Sequence, residues 1–337
     1  MIKNFIKSKI NIIIKNLHIQ NSIFFKSKYA YKLYKNMNKY YIINEKPIIK
    51  EEEYTCPIVE DKYKNFYIFV NNFINIMESN LSKDNKYIMY HNLKTFTFSN
   101  YDEANILTKL LTHLGICGNY NYRKNNIFVN DNNISVEKYS LIIYHELLHM
   151  SSYCKSNNNT YVGFRNNFIG NAINEGYTQL LTERYFNNGN RYLICSYNYY
   201  VNIAKIIEDI VGKEMMTDLY FNADLNGLIK ELNNYAKKDD IIDFLLNLDT
   251  KFRFDFRLSY FLNNNNNNNN NSFLINNINN FLINTYINKL IINNAQKDII
   301  TNSIIELNNK LNLLVQEDIK NISKRNIVKL IKRKISK

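Results

Sequence analysis

The chain has 337 residues, enough for one large or two ordinary cores, and a net charge of +13. It holds no apolar stretch of membrane-spanning length, and Ile12-Ile13-Ile14, interrupted by Lys15, is too short for the apolar region of a secretory signal. Four widely spaced cysteines, Cys56, Cys117, Cys154 and Cys195, form no C-x-x-C pair, which argues against a disulfide framework or a cysteine-built zinc site and fits a reduced, cytoplasmic protein. The lysine excess accompanies abundant Asn, Ile and Tyr, the mark of AT-rich coding, so most lysines are read as solvated surface. No specific nucleic-acid partner is predicted. The basic termini leave an anionic membrane surface open as a partner, and oligomeric state is not fixed.

Residues 1–50 form a basic N-terminal segment, with nine lysines and no acid before position 45. Ile2, Phe5, Ile6, Ile10 and Ile13 fall on one side of a helix, so this segment is read as a surface helix or as disordered. Glu51-Glu52-Glu53 marks a change of composition and opens a core assigned to residues 51–195. The spacing of Phe66, Ile68, Phe69, Phe73, Ile74 and Ile76 predicts a helix over Tyr63–Leu81. Ala104–Leu114 repeats the pattern and is broken by Gly115 and Gly118. Asn126–Asn130 reads as a short strand between Asn-rich turns.

Next comes the most informative stretch, His145-Glu146-Leu147-Leu148-His149, inside the apolar run Ser140–Met150. On a helix, residues i and i+4 share a face, so both imidazoles can meet one ion while Glu146 sits beside it as a general base for water. The plain alternative is a buried helix with two hydrogen-bonded histidines. Two histidines do not hold a catalytic metal, and His2Glu is one standard zinc set. A second helical pattern supplies the carboxylate: Glu175 opens it, after a loop of Ser, Asn and Gly residues from Ser151 to Gly170. Glu183 and Cys154 are alternative ligands. A solvated face is the simpler reading of Glu183, and a small buried residue that of Cys154.

His145, Glu146, His149, Asn174 and Glu175 together resemble the gluzincin group of zinc metallopeptidases, the thermolysin-like zincins. Over about sixty residues, the resemblance implies zinc on His145, His149 and Glu175, with Glu146 as catalytic base and a peptide or protein as substrate. It also implies a strand just before the metal helix whose edge holds an extended peptide. Thermolysin-like enzymes orient a zinc-bound histidine with an aspartate four residues after the ligand glutamate. This chain has the uncharged Gln179 there, so Thr178 or Thr182 is considered for the same task. All five histidines precede Glu175, so no downstream histidine can stabilise an oxyanion. Aminopeptidase-type gluzincins use a tyrosine, for which Tyr192, Tyr197, Tyr199 and Tyr200 are candidates.

Six of the eight glycines lie around this site, and Tyr161, Phe164 and Phe168 either line its cleft or fill the core. After Arg191 the pattern is helical to the end, giving a C-terminal region over residues 196–337. A run of asparagines at 263–271 interrupts it and is expected to form a loop. Residues 320–337 carry eight Lys or Arg and no acid. The expectation is an α+β fold: a zincin-like core with a small sheet and the H-E-x-x-H helix, then a mainly helical region. The leading reading is a zinc-dependent peptidase. A zincin-fold binding module without catalysis, or an anion-binding protein with an accidental H-E-x-x-H, are the alternatives.

Overall fold

Residues 64–100, 118–129, 136–156, 159–166, 169–187, 197–256, 267–296 and 298–311 are described by a computed structural model. Helix α1 (Lys64–Glu78) buries Phe66, Val70, Phe73, Ile74 and Met77, a spacing of three and four that puts them on one stripe. Ile68, grouped with that stripe from sequence, instead remains 67% exposed on the outer face. Helix α2 (Lys83–Leu93) starts at Ser82, whose hydroxyl accepts the Asn85 N–H, and buries Met89 and Leu93.

Three short strands form one sheet in the order β1 (Thr97–Ser99), β3 (Asn126–Val129), β2 (Gly118–Asn121). Strand β1 runs parallel to β3 and β2 antiparallel to it. Among the described strands the predicted one is therefore central rather than an edge, and β2 is an edge that packs with β3 on the helix carrying the histidine motif. Sequence missed the partners because Gly118-Asn119-Tyr120-Asn121 has no β-branched residue and β1 is only three residues long.

Helix α3 (Val136–Ser151) carries the histidine motif, and every residue from Leu141 to Ser152 is buried. It packs on α1, α2, both neighbouring strands and the next helix, which explains an apolar run with no clean polar face. The predicted loop that follows contains an antiparallel hairpin, β4 (Tyr153–Ser156) and β5 (Asn159–Val162). Tyr161 and Phe164 are buried in the core.

Helix α4 (Asn171–Phe186) begins four residues before Glu175, earlier than its sequence pattern suggests. Its N-cap, Gly170, has φ of 91° and no side chain to receive the first amides. Asp249 does so from a distant helix, accepting the Gly170 and Ala172 N–H groups at 2.8 and 2.7 Å. A buried carboxylate at a helix N-terminus also meets the positive end of the helix dipole.

The rest is helical: α5 (Asn198–Val211), α6 (Lys213–Phe221), α7 (Leu225–Leu232), α8 (Lys238–Phe256) and α9 (Asn267–Ile292), with residues 298–311 helical as well. α5 lies against α4 so closely that a Cβ on Gly176 would come within 2.4 Å of the Tyr200 carbonyl oxygen. Arg184 clamps the pair, its two terminal nitrogens 2.9 and 2.5 Å from the Glu208 carboxylate. One hydrophobic core runs from α1 through α3 and α4 into α8 and α9.

The result is a mainly helical molecule with a small sheet, α+β in that coarse sense. Asn267 to Asn271 of the asparagine run are helical, not loop. Extending a helix already anchored by Leu274, Ile278 and Leu282 needs no new nucleus, and asparagine costs only a few tenths of a kcal/mol per residue there. No described helix is long and apolar enough to cross a membrane. The basic N-terminal segment, the helix expected at Ala104–Leu114, residues 263–266 of the asparagine run, Phe168 and the basic tail lie outside the described residues.

Candidate metal centre

Helix α3 delivers His145 and His149 one turn apart, and α4 crosses it to deliver Glu175. His145 Nε2 lies 3.1 Å from His149 Nε2, and Glu175 Oε2 lies 3.3 and 3.4 Å from those two nitrogens. Two imidazole nitrogens and a carboxylate oxygen that could hold a metal ion thus lie together, the one such His/Cys/Asp/Glu group among the described residues. A tetrahedral ion with bonds of about 2.0–2.1 Å holds its ligands roughly 3.3–3.4 Å apart. A calcium ion asks instead for about six to eight oxygen ligands, which two imidazoles do not supply. The donor set and its spacing therefore fit a small divalent ion that accepts imidazole.

The electrostatics also call for a cation. His145, Glu146 and His149 are buried, and the Glu175 side chain keeps 20% exposure. Burial alone would depress the His145 imidazolium, but hydrogen bonding to Glu175 and the charges of Glu146 and Glu175 outweigh it and raise the pKa. Burial pushes the Glu175 carboxyl up, yet His149 first and then His145 drag it far below the usual carboxylate range. One buried and one partly exposed carboxylate beside two imidazoles favour positive charge between them, whether on a ring or on a bound cation.

Glu146 projects beside this group, not into it. Burial raises its carboxyl, against the pull of His145 and His149 and a hydrogen bond from the Tyr120 backbone. Tyr120 belongs to β2, so the edge strand touches the proposed base directly. Gly118, two residues earlier, is small of necessity: a Cβ there would lie 2.4 Å from Ile142 Cγ2 and 2.9 Å from Glu146 Oε1.

Side chains behind the imidazoles fix their rings. Gln179 Oε1 is 3.2 Å from His145 Nδ1, and Gln179 Nε2 donates to Glu183 at 3.2 Å. His149 Nδ1 faces Asn174 Nδ2 at 3.3 Å and Thr178 Oγ1 at 3.4 Å. Of those two only the Thr178 oxygen can accept, since its own proton goes to the Asn174 carbonyl at 2.8 Å. Tyr220 backs Thr178 at 2.7 Å, a contact with no sign in the sequence. Tyr197 lies parallel to the His145 ring, with centroids 5.9 Å apart and planes 9° apart. Tyr199 and Tyr200 are buried, and Tyr192 lies outside the described residues.

Both alternative ligands stand outside this group. Glu183 is half-buried and engaged with Gln179, not on a solvated face. Cys154 is a free, partly exposed thiol in β4, outside the group. Thr182 hydrogen-bonds the Thr178 carbonyl within its own helix. Asn174 is itself held by the Phe164 N–H, which its Oδ1 accepts at 3.0 Å.

Gly163 makes room for that arrangement at φ of 51°, where a Cβ would sit 2.2 Å from Asn174 Oδ1 and 2.4 Å from Tyr220 Cε2. Gly163→Ala is expected to cost more than about 2 kcal/mol in chemical denaturation, combining left-handed strain with overpacking. A variant as stable as wild type would show that Asn174 and Tyr220 can move aside freely.

Comparison with known protein families, with curated proteins and with solved structures finds no match to this chain.

Proposed function

We propose that the protein is a zinc-dependent metallopeptidase of gluzincin type that hydrolyses peptide bonds. The observation that carries this reading is the convergence of His145 Nε2, His149 Nε2 and Glu175 Oε2 at tetrahedral spacing, with a buried carboxylate next to it. These three residues would hold the ion. When bound, zinc supplies a Lewis acid that polarises the scissile carbonyl and brings the pKa of water towards neutrality.

The remaining chemistry belongs to the chain. Glu146 takes a proton from the attacking water and delivers it to the leaving amine. Its burial favours the neutral form, so it holds the proton between those two events more readily than an exposed glutamate would. The Tyr120 backbone hydrogen bond keeps its carboxylate oriented. Strand β2, an edge among the described strands, offers main-chain pairing to an extended peptide alongside α3.

The test is hydrolysis of a mixed peptide library by zinc-loaded protein. Activity should vanish with a chelator, return with zinc, and fail in Glu146→Gln. Zinc-loaded protein that cleaves nothing would leave a metal-binding module without catalysis.

A further inference from the structure

We infer that Glu183 selects the metal-binding tautomer of His145 through Gln179, in a carboxylate–amide–imidazole relay. The consequence for metal affinity rests on the metal reading above; the tautomer itself does not.

The relay follows from hydrogen-bond polarity. Gln179 is buried and sits between two partners, with Oε1 3.2 Å from His145 Nδ1 and Nε2 3.2 Å from Glu183 Oε1. A primary amide can turn over, exchanging its donor and acceptor ends. A carboxylate only accepts, so Glu183 keeps the NH2 group on its own side. The carbonyl end is then left for His145. A carbonyl also only accepts, so His145 Nδ1 must carry the proton. The lone pair of the neutral ring then lies on Nε2, the atom 3.1 Å from His149 Nε2 and 3.3 Å from Glu175 Oε2.

Glu183 thus touches neither the imidazole nor the ion site, and acts on both. Its charge is not spent on its neighbour, because Arg184 turns to Glu208 with both terminal nitrogens. Helix α4 makes the relay possible: positions 179 and 183 are one turn apart and share a face. Direct carboxylate–imidazole contacts orient metal-bound histidines in many proteins and raise their basicity. Here the negative charge stands one amide further back. Glu183 is a positioning residue in this account. The competing view is an ordinary Gln–Glu pair on a helix, indifferent to His145.

The experiment reads the side-chain nitrogens of His145 by 15N NMR in metal-free protein, and zinc affinity by chelator competition. Wild type should show Nδ1 protonated throughout, in the neutral ring and in the imidazolium alike. Glu183→Gln frees the Gln179 amide to turn over, so His145 should become a mixture of tautomers and zinc affinity should fall about tenfold. The double exchange Gln179→Glu with Glu183→Gln points a carboxylate directly at His145 and lets the new amide donate to it. That variant should recover Nδ1 protonation throughout and at least wild-type affinity. It carries the test alone should the single variant not fold. A single tautomer and unchanged affinity in Glu183→Gln would overturn the relay, as would a double exchange that fails to restore the Nδ1-protonated form. Wild-type protein that takes up no zinc would instead sink the metal reading, while the metal-free tautomer measurement would still decide the relay.

Discussion

Glu175→Ala is expected to lower zinc affinity by orders of magnitude, far more than any change at Glu183. In the proposed site Glu175 supplies one of three protein donors and the only charged one, 3.3 and 3.4 Å from the two imidazole nitrogens. Its removal leaves two buried neutral rings, a set too small for a closed or catalytic zinc site. It also removes the charge that most favours a cation in a low-dielectric setting. Chelator competition on the two variants gives the ranking directly. The same loss should abolish the rise in melting temperature that zinc confers on wild type, because a ligand stabilises only the state that binds it. A larger loss in Glu183→Ala than in Glu175→Ala would overturn the ligand assignment.

Glu146→Gln should separate metal binding from chemistry. The substitution keeps the size of the side chain, and the amide oxygen can still accept the Tyr120 N–H. Zinc and fold should therefore survive. The amide cannot take a proton, so hydrolysis should fall by roughly 10²–10⁴, the usual contribution of a positioned general base. Zinc content has to be measured on the same sample, since metal loss would mimic the effect. A variant that keeps both zinc and full activity would remove Glu146 from the mechanism and leave only the metal site.

What could be read from sequence was local. The pair His145 and His149 is legible because helix geometry alone puts i and i+4 on one face, and Glu175 because a second helical pattern brought a carboxylate back. Strand β3 was legible as a strand, but not its central place, which depends on partners from 29 and 8 residues upstream with little strand character. The start of α4 was misplaced because its cap is Asp249, 77 residues beyond Ala172. Glu183 shows the limit most clearly. Its spacing from Gln179 was visible, yet whether that face is solvated depends on packing between α3 and α4, and packing made the residue half-buried. The departure from the thermolysin-like pattern at Gln179 was legible, and the hydrogen bond from Gln179 to Glu183 was not.

Zinc content and X-ray absorption on wild-type protein, purified without chelators and supplied with zinc, test the central claim most directly. One zinc per chain is predicted, with light-atom donors at about 2.0–2.1 Å, imidazole outer-shell scattering from two rings, and no sulfur. No zinc uptake, or a sulfur donor from Cys154 in the coordination sphere, would contradict the site built by His145, His149 and Glu175.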